Sequence, residues 1–446
     1  MRWLIVALIG VIATLAIFQI QLSLGPGLSA KNAVLYALIF GLTFRAALRG
    51  LAGVELPGLH AIFAAWVGYA IATWLIAALV VKYPYYTLVA NGITVKAEML
   101  DSFLFFIVAF HALNDQRDVR TVMKALAAAV GVANFATIAD LVGILHLGLR
   151  VGATGAEEGR VFGVFGHAND TAALIVCMLP VSVAVALQAR GFMRAVWGAG
   201  ALASLVVLLL TVSRGAYVGV VVGSIWAAWL CRGLIPVQKI AMWAFGALVA
   251  MVLGVAVGAL AIPGVAQTIS SRLTGGGGSA DEMSSGRTVL WKQVIETMWD
   301  KPITLLTGYG WDVYWVMPFR FATHNYYLNQ WFNLGLVGLI CFVLLLTIGV
   351  KRAKRAAAQP DSGLRDQHIA FVFAMLMLAV SVFFVNLEGQ WPFVWIYFGV
   401  AMRATQIDLV PVPATSNMQE PVIRPVLPSR PRPALDGGRL VGTQLR

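Results

Sequence analysis

The sequence predicts an all-α polytopic membrane protein with about twelve transmembrane helices. Of its 446 residues, 60% are hydrophobic and only 12% are charged, and the mean hydropathy is +0.82. Soluble domains carry roughly 25% charged residues. Apolar runs of about 17 to 25 residues recur along the chain, and each is long enough to cross a hydrocarbon core. Because these runs are continuous and do not alternate with polar residues, they exclude a transmembrane β-barrel.

Twelve apolar runs are interpreted as spans of a transmembrane domain, residues 1–404. They cover residues 3–21, 32–49, 59–81, 95–113, 121–146, 169–188, 195–212, 215–231, 239–262, 326–349, 368–387 and 391–404. The first run, with Leu28-Ser29-Ala30 after it, also resembles a signal peptide with a cleavage site. Since the run is long for a signal core, a retained first helix is favoured.

Lysine and arginine occupy every second loop of this arrangement. The basic loops follow spans two, four, six, eight and ten and contain Arg45 and Arg49, Arg117, Arg120 and Lys124, Arg190 and Arg194, Arg232 and Lys239, and Lys351 to Arg365. Cationic residues are normally retained on the cytoplasmic side of a membrane. Both termini are therefore predicted to be cytoplasmic. The net charge of +12 then follows from topology and does not indicate nucleic-acid binding.

Two of the remaining, external loops are long, namely residues 147–168 and residues 263–325. In the second loop, Gly275 to Gly278 are interpreted as a flexible hinge. The apolar spacing from Arg287 to Trp299 predicts an amphipathic helix at the membrane surface. The aromatic residues that follow are also expected to touch the interface: Trp311, Tyr314, Trp315, Phe319 and Phe321. Residues 405–446 are rich in proline and are predicted to form a disordered cytoplasmic tail.

Arg214 and Arg287 are the candidate anion-binding residues, because both fall at predicted outer starts of helices. A helix start already carries partial positive charge, and it binds anions well. Arginine is favoured there when an anion binds, and its planar fork suits phosphate oxygens. The alternative interpretations are a snorkelling side chain for Arg214 and a solvated surface charge for Arg287.

His324 is the candidate for chemistry, because histidine can accept a proton near neutral pH. It opens His324-Asn325-Tyr326 at the end of the long loop. The alternative is an interfacial histidine that is hydrogen-bonded to backbone. Glu388, in a short outer turn, is a weaker catalytic alternative. Asn325 and His167 are possible supporting residues, although His167 is more simply read as structural.

The remaining polar candidates carry weaker signals. Arg160 is a possible further anion contact, and Asn169 or Asp170 is expected to cap the helix that follows. Asp101 and Asp140 are read as paired structural groups rather than a proton path. Three cysteines fall in apolar spans and are expected to be buried hydrophobes: Cys177, Cys231 and Cys341. No GxxxxGK[ST] sequence occurs, which excludes a nucleotide-driven pump of that type. The outer loops show no Cys/His cluster.

An ordered set of these motifs resembles the O-antigen ligase and polymerase superfamily over about residues 155 to 350. The motifs are Arg160 through Asn169, Ser213-Arg214-Gly215, Gly286-Arg287 with Trp291, Gly308-Tyr309-Gly310, and His324-Asn325 with Leu328 and Gly335. The resemblance implies a GT-C-type glycosyltransferase of the Gram-negative inner membrane, without metal or other cofactor. It implies that Arg214 and Arg287, and less directly Arg160, contact a diphosphate and that His324 is catalytic.

The resulting hypothesis is an O-antigen ligase that works on the periplasmic side. Its donor is a glycan on undecaprenyl diphosphate, and its acceptor is the lipid A core oligosaccharide. His324 is the general base of an inverting transfer. The near alternatives are an O-antigen or exopolysaccharide polymerase and a protein O-oligosaccharyltransferase of the same superfamily. The distant alternative is a lipid or solute transporter, whose site is typically at the membrane midplane between repeats.

Overall fold

Most of the described chain is helical. The computed structural model describes residues 2–17, 23–25, 28–49, 57–147, 160–236, 286–320, 322–386 and 391–409, and five isolated positions between 238 and 256. The helices in these ranges are α1 (Arg2–Ile17), α2 (Ala30–Arg49), α3 (Pro57–Leu75, continued by a π-turn), α4 (Leu88–Val95), α5 (Asp101–Ala112), α6 (Gln116–Leu141), α7 (Ala168–Gln188), α8 (Gly191–Leu210), α9 (Arg214–Leu230), α10 (Arg287–Trp299), α11 (Ile303–Thr307), α12 (Tyr326–Ala357), α13 (Arg365–Ser381) and α14 (Trp391–Leu409). Between α1 and α2, β1 (Ser23–Gly25) and β2 (Leu28–Ser29) pair antiparallel. The all-α prediction missed this small ribbon.

The helices agree with a multi-pass membrane protein. In the described ranges, 5 helices are long and apolar enough to cross a membrane, namely Gly58–Val81, Gln116–Leu141, Ala168–Gln188, Phe192–Leu210 and Tyr326–Ala357. Shorter apolar helices cover Leu4–Ala13, Asn32–Phe44 and Arg214–Leu230. The ninth expected span, 239–262, lies outside the described residues except for isolated positions, as does the proposed hinge from Gly275 to Gly278. The count of twelve spans therefore stays a prediction.

Two boundaries and one burial pattern differ from expectation. The last helix continues to Leu409, beyond the predicted end at residue 404, and Val410–Arg446 lies outside the described residues. The predicted helix in the long loop is present as Arg287–Trp299. Trp311 and Tyr314 were expected at the interface, but they are only 2% and 5% exposed. They pack inside the protein because the loop folds back onto α12.

Two of the basic segments, the start of α6 and the loop before α13, lie at the same end of the helical bundle. Arg120 of α6 donates to the carbonyl of Gly363, at 2.7 Å, in the loop before α13. Asp408 of α14 accepts from Gln116 at 3.0 Å and lies 3.0 Å from the ring of His368. These contacts join the start of α6, the start of α13 and the end of α14. The starts of α7, α9, α12 and α14 therefore lie at the opposite end.

Helices α9 and α13 approach closely through a row of glycines. Gly215, Gly219 and Gly223 are four residues apart and share one face of α9. A Cβ added at Gly223 would lie 2.7 Å from the backbone nitrogen of Met377, and one at Gly215 would lie 3.1 Å from Cγ of Phe384. Small residues allow such close approach of helix backbones in membranes. The first turn of α9 is thus held against the end of α13.

Helix α12 is broken at Gly335, where φ is 61° and ψ is −164°. The break frees the carbonyls of Phe332 and Asn333, which accept the N–H groups of Tyr309 and Gly310, each at 2.9 Å. Freed backbone groups at membrane depth need such partners. The Gly308-Tyr309-Gly310 motif therefore has a structural function, since it closes the break and anchors the long loop to α12.

We predict that Gly223→Ala destabilises the protein by about 1 to 3 kcal/mol, because the methyl group has no space against the backbone of α13. Thermal unfolding in detergent, followed by intrinsic fluorescence, measures the effect. Gly198→Ala in α8 is the control, since its added Cβ meets no atom of the described chain within 4 Å. Equal unfolding midpoints for the two variants would contradict the close packing of α9 on α13.

Candidate functional site

Arg214 begins α9 directly after a strained three-residue connection. Helix α8 ends at Leu210, and Val212 adopts a φ of 49°. A β-branched residue rarely takes this left-handed conformation, and strain of this kind concentrates at functional sites. Arg214 is the first helical residue and is half-buried. Arg214 therefore lies at a helix start, where the backbone amides of the first turn have no partner within the helix.

Arg160 forms hydrogen bonds that fix this connection. It is only 3% exposed. Its Nε donates to the carbonyl of Thr211 at 2.9 Å, and a terminal nitrogen donates to Oδ1 of Asn169 at 2.6 Å. Ser213 donates to the same Oδ1 at 3.1 Å. These bonds hold the turn that carries Arg214, and the expected contact of Arg160 with a diphosphate stays a prediction.

His167, and not Asn169 or Asp170, caps α7. Its Nδ1 accepts the backbone N–H of Asn169 at 3.3 Å, and its ring stacks on Phe162 with centroids 6.1 Å apart. The prediction of an Asn169 or Asp170 cap was wrong, because the side chain of Asn169 accepts from Arg160 and Ser213 instead. The structural interpretation of His167 is supported.

Arg287 begins α10 and contacts the end of α13. It follows Gly286, whose φ of 77° suits glycine, while the adjacent Ser284-Ser285 lies outside the described residues. Its Nη1 donates to the carbonyl of Phe384 at 2.7 Å. The side chain of Phe384 lies against Gly215, the residue next to Arg214. The helix starts that carry the two arginines therefore meet at one residue.

The loop before α12 fixes His324 from both sides. Trp291 of α10 donates its Nε1 proton to the carbonyl of Thr323 at 2.7 Å. Asn325 is buried, and its Oδ1 caps α12 by accepting the N–H of Leu328 at 3.1 Å. His324 itself has a φ of 49°. Asn325 therefore supports His324 through the backbone, and the strained histidine is held between two anchored neighbours.

His324 lies in a positive electrostatic environment. Its pKa is lowered from 6.5 to about 4, chiefly by burial, then by the charge of Arg287 and then by His167. The hydrogen bond from Trp291 to the carbonyl of Thr323 joins the helix that begins at Arg287 to the residue before His324. At neutral pH the imidazole is uncharged, and it can accept a proton.

The turn after α13, residues Val382–Asn386, joins these parts and was missed by the sequence analysis. The carbonyl of Val382 accepts the N–H of Tyr326 at 2.8 Å, and the carbonyl of Phe384 accepts from Arg287. The ring of Phe383 packs against that of Trp291, with centroids 5.8 Å apart. In the sequence, Phe383-Phe384-Val385 looks like the end of an apolar span. The polar residue Asn386 was the feature that could have indicated a turn here. Glu388 lies outside the described residues and stays a prediction.

The other polar candidates have structural partners. Asp101 is fully buried and lies 2.9 Å from Nζ of Lys96, with Tyr36 donating to its other oxygen at 3.2 Å. This pairing favours the structural interpretation. Asp140 accepts the backbone N–H of Leu147 beyond the end of α6. The three cysteines are free thiols. Within the described ranges, no group of three or more His, Cys, Asp or Glu residues is arranged to hold a metal ion.

We predict that the folded protein loses stability as the pH falls from 6.5 to 4. In this window the unfolded chain binds a proton at His324 that the folded protein, with a pKa of about 4, does not bind. The loss reaches up to about 3 kcal/mol at the lower end. His324→Gln is expected to flatten the pH dependence of chemical unfolding, while the exposed His146→Gln control leaves it unchanged. Parallel slopes for the wild-type protein and His324→Gln would exclude a depressed pKa.

Comparison with known protein families finds a match for part of the chain. Residues 199–343 match the family described as O-antigen ligase. The matched segment contains Arg214, Arg287 and His324. Members of this family are, in general terms, glycosyl-transferring enzymes. A search of curated proteins finds no match to the chain. The match, over about a third of the chain, supports the O-antigen ligase and polymerase superfamily and does not distinguish a ligase from a polymerase.

Proposed function

We propose that the protein is an O-antigen ligase of the Gram-negative inner membrane. It transfers a glycan from undecaprenyl diphosphate to the lipid A core oligosaccharide on the periplasmic side. The observation that carries this proposal is the way α10 joins the site: Trp291 donates to the carbonyl of Thr323 next to His324, and Arg287 donates to the carbonyl of Phe384, whose side chain lies against Gly215. The basic loops at the other end of the bundle support the orientation, since cationic loops are retained in the cytoplasm.

Arg214 and Arg287 bind the diphosphate of the donor. Each is the first residue of its helix, so the free amides of the first turn add partial positive charge. As the glycan leaves, negative charge builds on the departing phosphate oxygen. Fixed cations stabilise this charge most effectively when they are already oriented before the reaction. The helix starts provide that orientation, and the scheme requires neither metal nor cofactor.

His324 acts as the general base. The neutral imidazole takes the proton of the acceptor hydroxyl while the hydroxyl oxygen attacks the anomeric carbon of the glycan. The bond between this carbon and the phosphate oxygen breaks, and its electron pair leaves with undecaprenyl diphosphate. One direct displacement inverts the anomeric centre. This sequence is the chemistry expected of a GT-C-type enzyme.

Donor binding strengthens the base. In the free protein, a pKa of about 4 makes His324 a weak proton acceptor, and Arg287 is one cause of this depression. A bound diphosphate neutralises Arg287, so the positive charge that opposes protonation of the imidazole is removed. The pKa of His324 therefore rises when the donor binds. The base becomes effective when there is a glycan to transfer.

We predict that His324→Ala slows glycan transfer by about 10² to 10⁴ and leaves binding of undecaprenyl diphosphate intact. Arg287→Ala weakens that binding, and Arg287→Lys restores part of it because the charge returns without the fork. Transfer and binding are measured with purified protein in proteoliposomes. The exposed Arg194→Ala, at the opposite end of α8, is the control. Near wild-type transfer by His324→Ala removes it from the mechanism.

We also predict that the pH profiles of kcat/KM and of kcat fall off at different pH values on the acid side. The limb of kcat/KM reports the free enzyme and has its midpoint at about pH 4, the pKa of His324. The limb of kcat reports the complex and lies at higher pH, because the diphosphate offsets Arg287. Steady-state transfer rates between pH 3.5 and 8 measure both limbs. A kcat limb at or below that of kcat/KM contradicts the coupling between donor and base.

The acceptor distinguishes a ligase from the near alternatives. A polymerase or a protein O-oligosaccharyltransferase would use the same donor and the same charged residues. In a deletion strain, loss of long-chain lipopolysaccharide with accumulation of polymerised lipid-linked glycan indicates a ligase. Lipopolysaccharide with a single repeat indicates a polymerase. A transporter makes no bond, so a new glycosidic bond with purified components excludes it. The gathering of charge at one end of the bundle favours chemistry over a midplane transport site.

A further inference from the structure

The short helix α11 turns large apolar side chains away from the protein. Ile303 and Leu306 are 65% and 54% exposed. Its two threonines donate to backbone carbonyls instead of pointing freely outward, Thr304 to Lys301 at 2.7 Å and Thr307 to Ile303 at 3.1 Å. A helix on a water-exposed surface shows the opposite pattern, with its apolar stripe inside and its polar side chains outside. The outer face of α11 therefore suits an apolar environment.

The spanning helix α12 measures the depth of α11 in the membrane. Helix α12 is broken at Gly335, where an added Cβ would meet the carbonyl group of Leu306. Lys351 begins the basic end of α12, and the helix between Gly335 and Lys351 is roughly 24 Å long. The hydrocarbon core of a bilayer is about 30 Å thick. Gly335 and Leu306 therefore lie below the outer boundary of the core, and a tilt of α12 places them deeper.

Helix α3 gives a second measure of this depth. It belongs to the candidate membrane span Gly58–Val81, and Tyr69 lies near the middle of that span. The hydroxyl of Tyr69 donates to the carbonyl of Thr307, the last residue of α11, at 3.0 Å. The end of α11 therefore lies below the outer end of α3. Because α11 has only 5 residues, it enters the membrane and does not cross it.

The backbone of α11 meets the requirement that hydrocarbon imposes on polar groups. The last carbonyls of a helix have no partner within the helix, and lipid offers them none. Here Trp331 of α12 donates its Nε1 proton to the carbonyl of Leu305 at 2.9 Å, and Tyr69 donates to that of Thr307. The carbonyl of Thr304 accepts the N–H of Gly308 at 2.8 Å. Side chains of the spanning helices thus replace water as partners.

The surroundings of α11 indicate that lipid covers its outer face. Leu336 and Ile340 are exposed on α12 directly after the break, so the apolar surface of α11 continues into that of a spanning helix. Before α11, Trp299 is exposed and is followed by Asp300 and Lys301. Tryptophan is enriched at the boundary between membrane and water. The chain therefore passes the headgroup level at Trp299 and descends along α11.

We propose that α11 is a re-entrant segment, which inserts Ile303 and Leu306 among the acyl chains of the outer leaflet. The sequence predicted a surface helix at Arg287–Trp299, whereas the inserted element is the next helix. Insertion fixes the height of the long loop, which carries Arg287 at one end and His324 at the other. The depth of α11 does not depend on the proposed transfer reaction.

Fluorescence quenching in lipid vesicles tests this depth. In the full-length protein, the three native cysteines are replaced by alanine, and Ile303→Cys or Leu306→Cys is labelled with bimane. Both side chains are exposed, so the substitutions leave the packing intact. The vesicles contain phospholipid with a nitroxide on the acyl chain, or iodide on both sides of the bilayer. Glu296→Cys is the aqueous control, since Glu296 is exposed beside Lys292, and Ile340→Cys is the lipid control.

We expect the nitroxide lipid to quench the labels of Ile303→Cys and Leu306→Cys as strongly as that of Ile340→Cys. Iodide is expected to quench only the label of Glu296→Cys. Quenching of both α11 labels by iodide, to the extent seen for Glu296→Cys, overturns the proposal and leaves α11 in water. Protection of both labels from both quenchers also overturns it, because protein, such as a second copy of the chain, then covers α11. Two positions are labelled so that misfolding of one variant leaves the other to decide.

Discussion

The close contact between α9 and α13 positions the rest of the candidate site. The glycine row from Gly215 to Gly223 lets the two backbones meet, and this contact fixes the end of α13 beside the start of α9. A helix end has carbonyls without partners, and a helix start has N–H groups without partners. The structure pairs them, since the carbonyl of Val382 accepts from Tyr326 at the start of α12. One helix end thereby sets the position of several helix starts.

This arrangement also places half-buried cationic groups at helix starts. Arg214 and Arg287 lie at helix starts, where partial positive charge already exists. The carbonyl of Phe384 offsets part of this charge by accepting from Arg287 at 2.7 Å. Burial, followed by the charge of Arg287, lowers the pKa of His324, which stays neutral at pH 7. Left-handed backbone at Val212 and His324 shows that the loops are held in these positions by their surroundings.

The Val382–Asn386 turn anchors two parts of the candidate site. The carbonyl of Val382 accepts the N–H of Tyr326 at the start of α12, and the carbonyl of Phe384 accepts from Arg287. In the proposed reaction, the start of α10, which binds the leaving group, and the start of α12, which follows the base, are therefore anchored to the same short turn.

The sequence by itself determined the membrane class, most helix positions and the placement of Arg214 and Arg287 at helix starts, with His324 just before another. These features follow from local hydropathy, helical spacing and charge, which neighbouring residues determine. Tertiary structure decided the rest. The hydrogen bond of Arg160 to Thr211, the burial of Trp311 and the pairing of Gly308-Tyr309-Gly310 with the broken α12 all depend on contacts between distant segments. Glu98, Asp312 and Asn386, from three separate parts of the chain, line one small cavity. Local sequence patterns do not predict such contacts, because the contacts form only when the helices pack together.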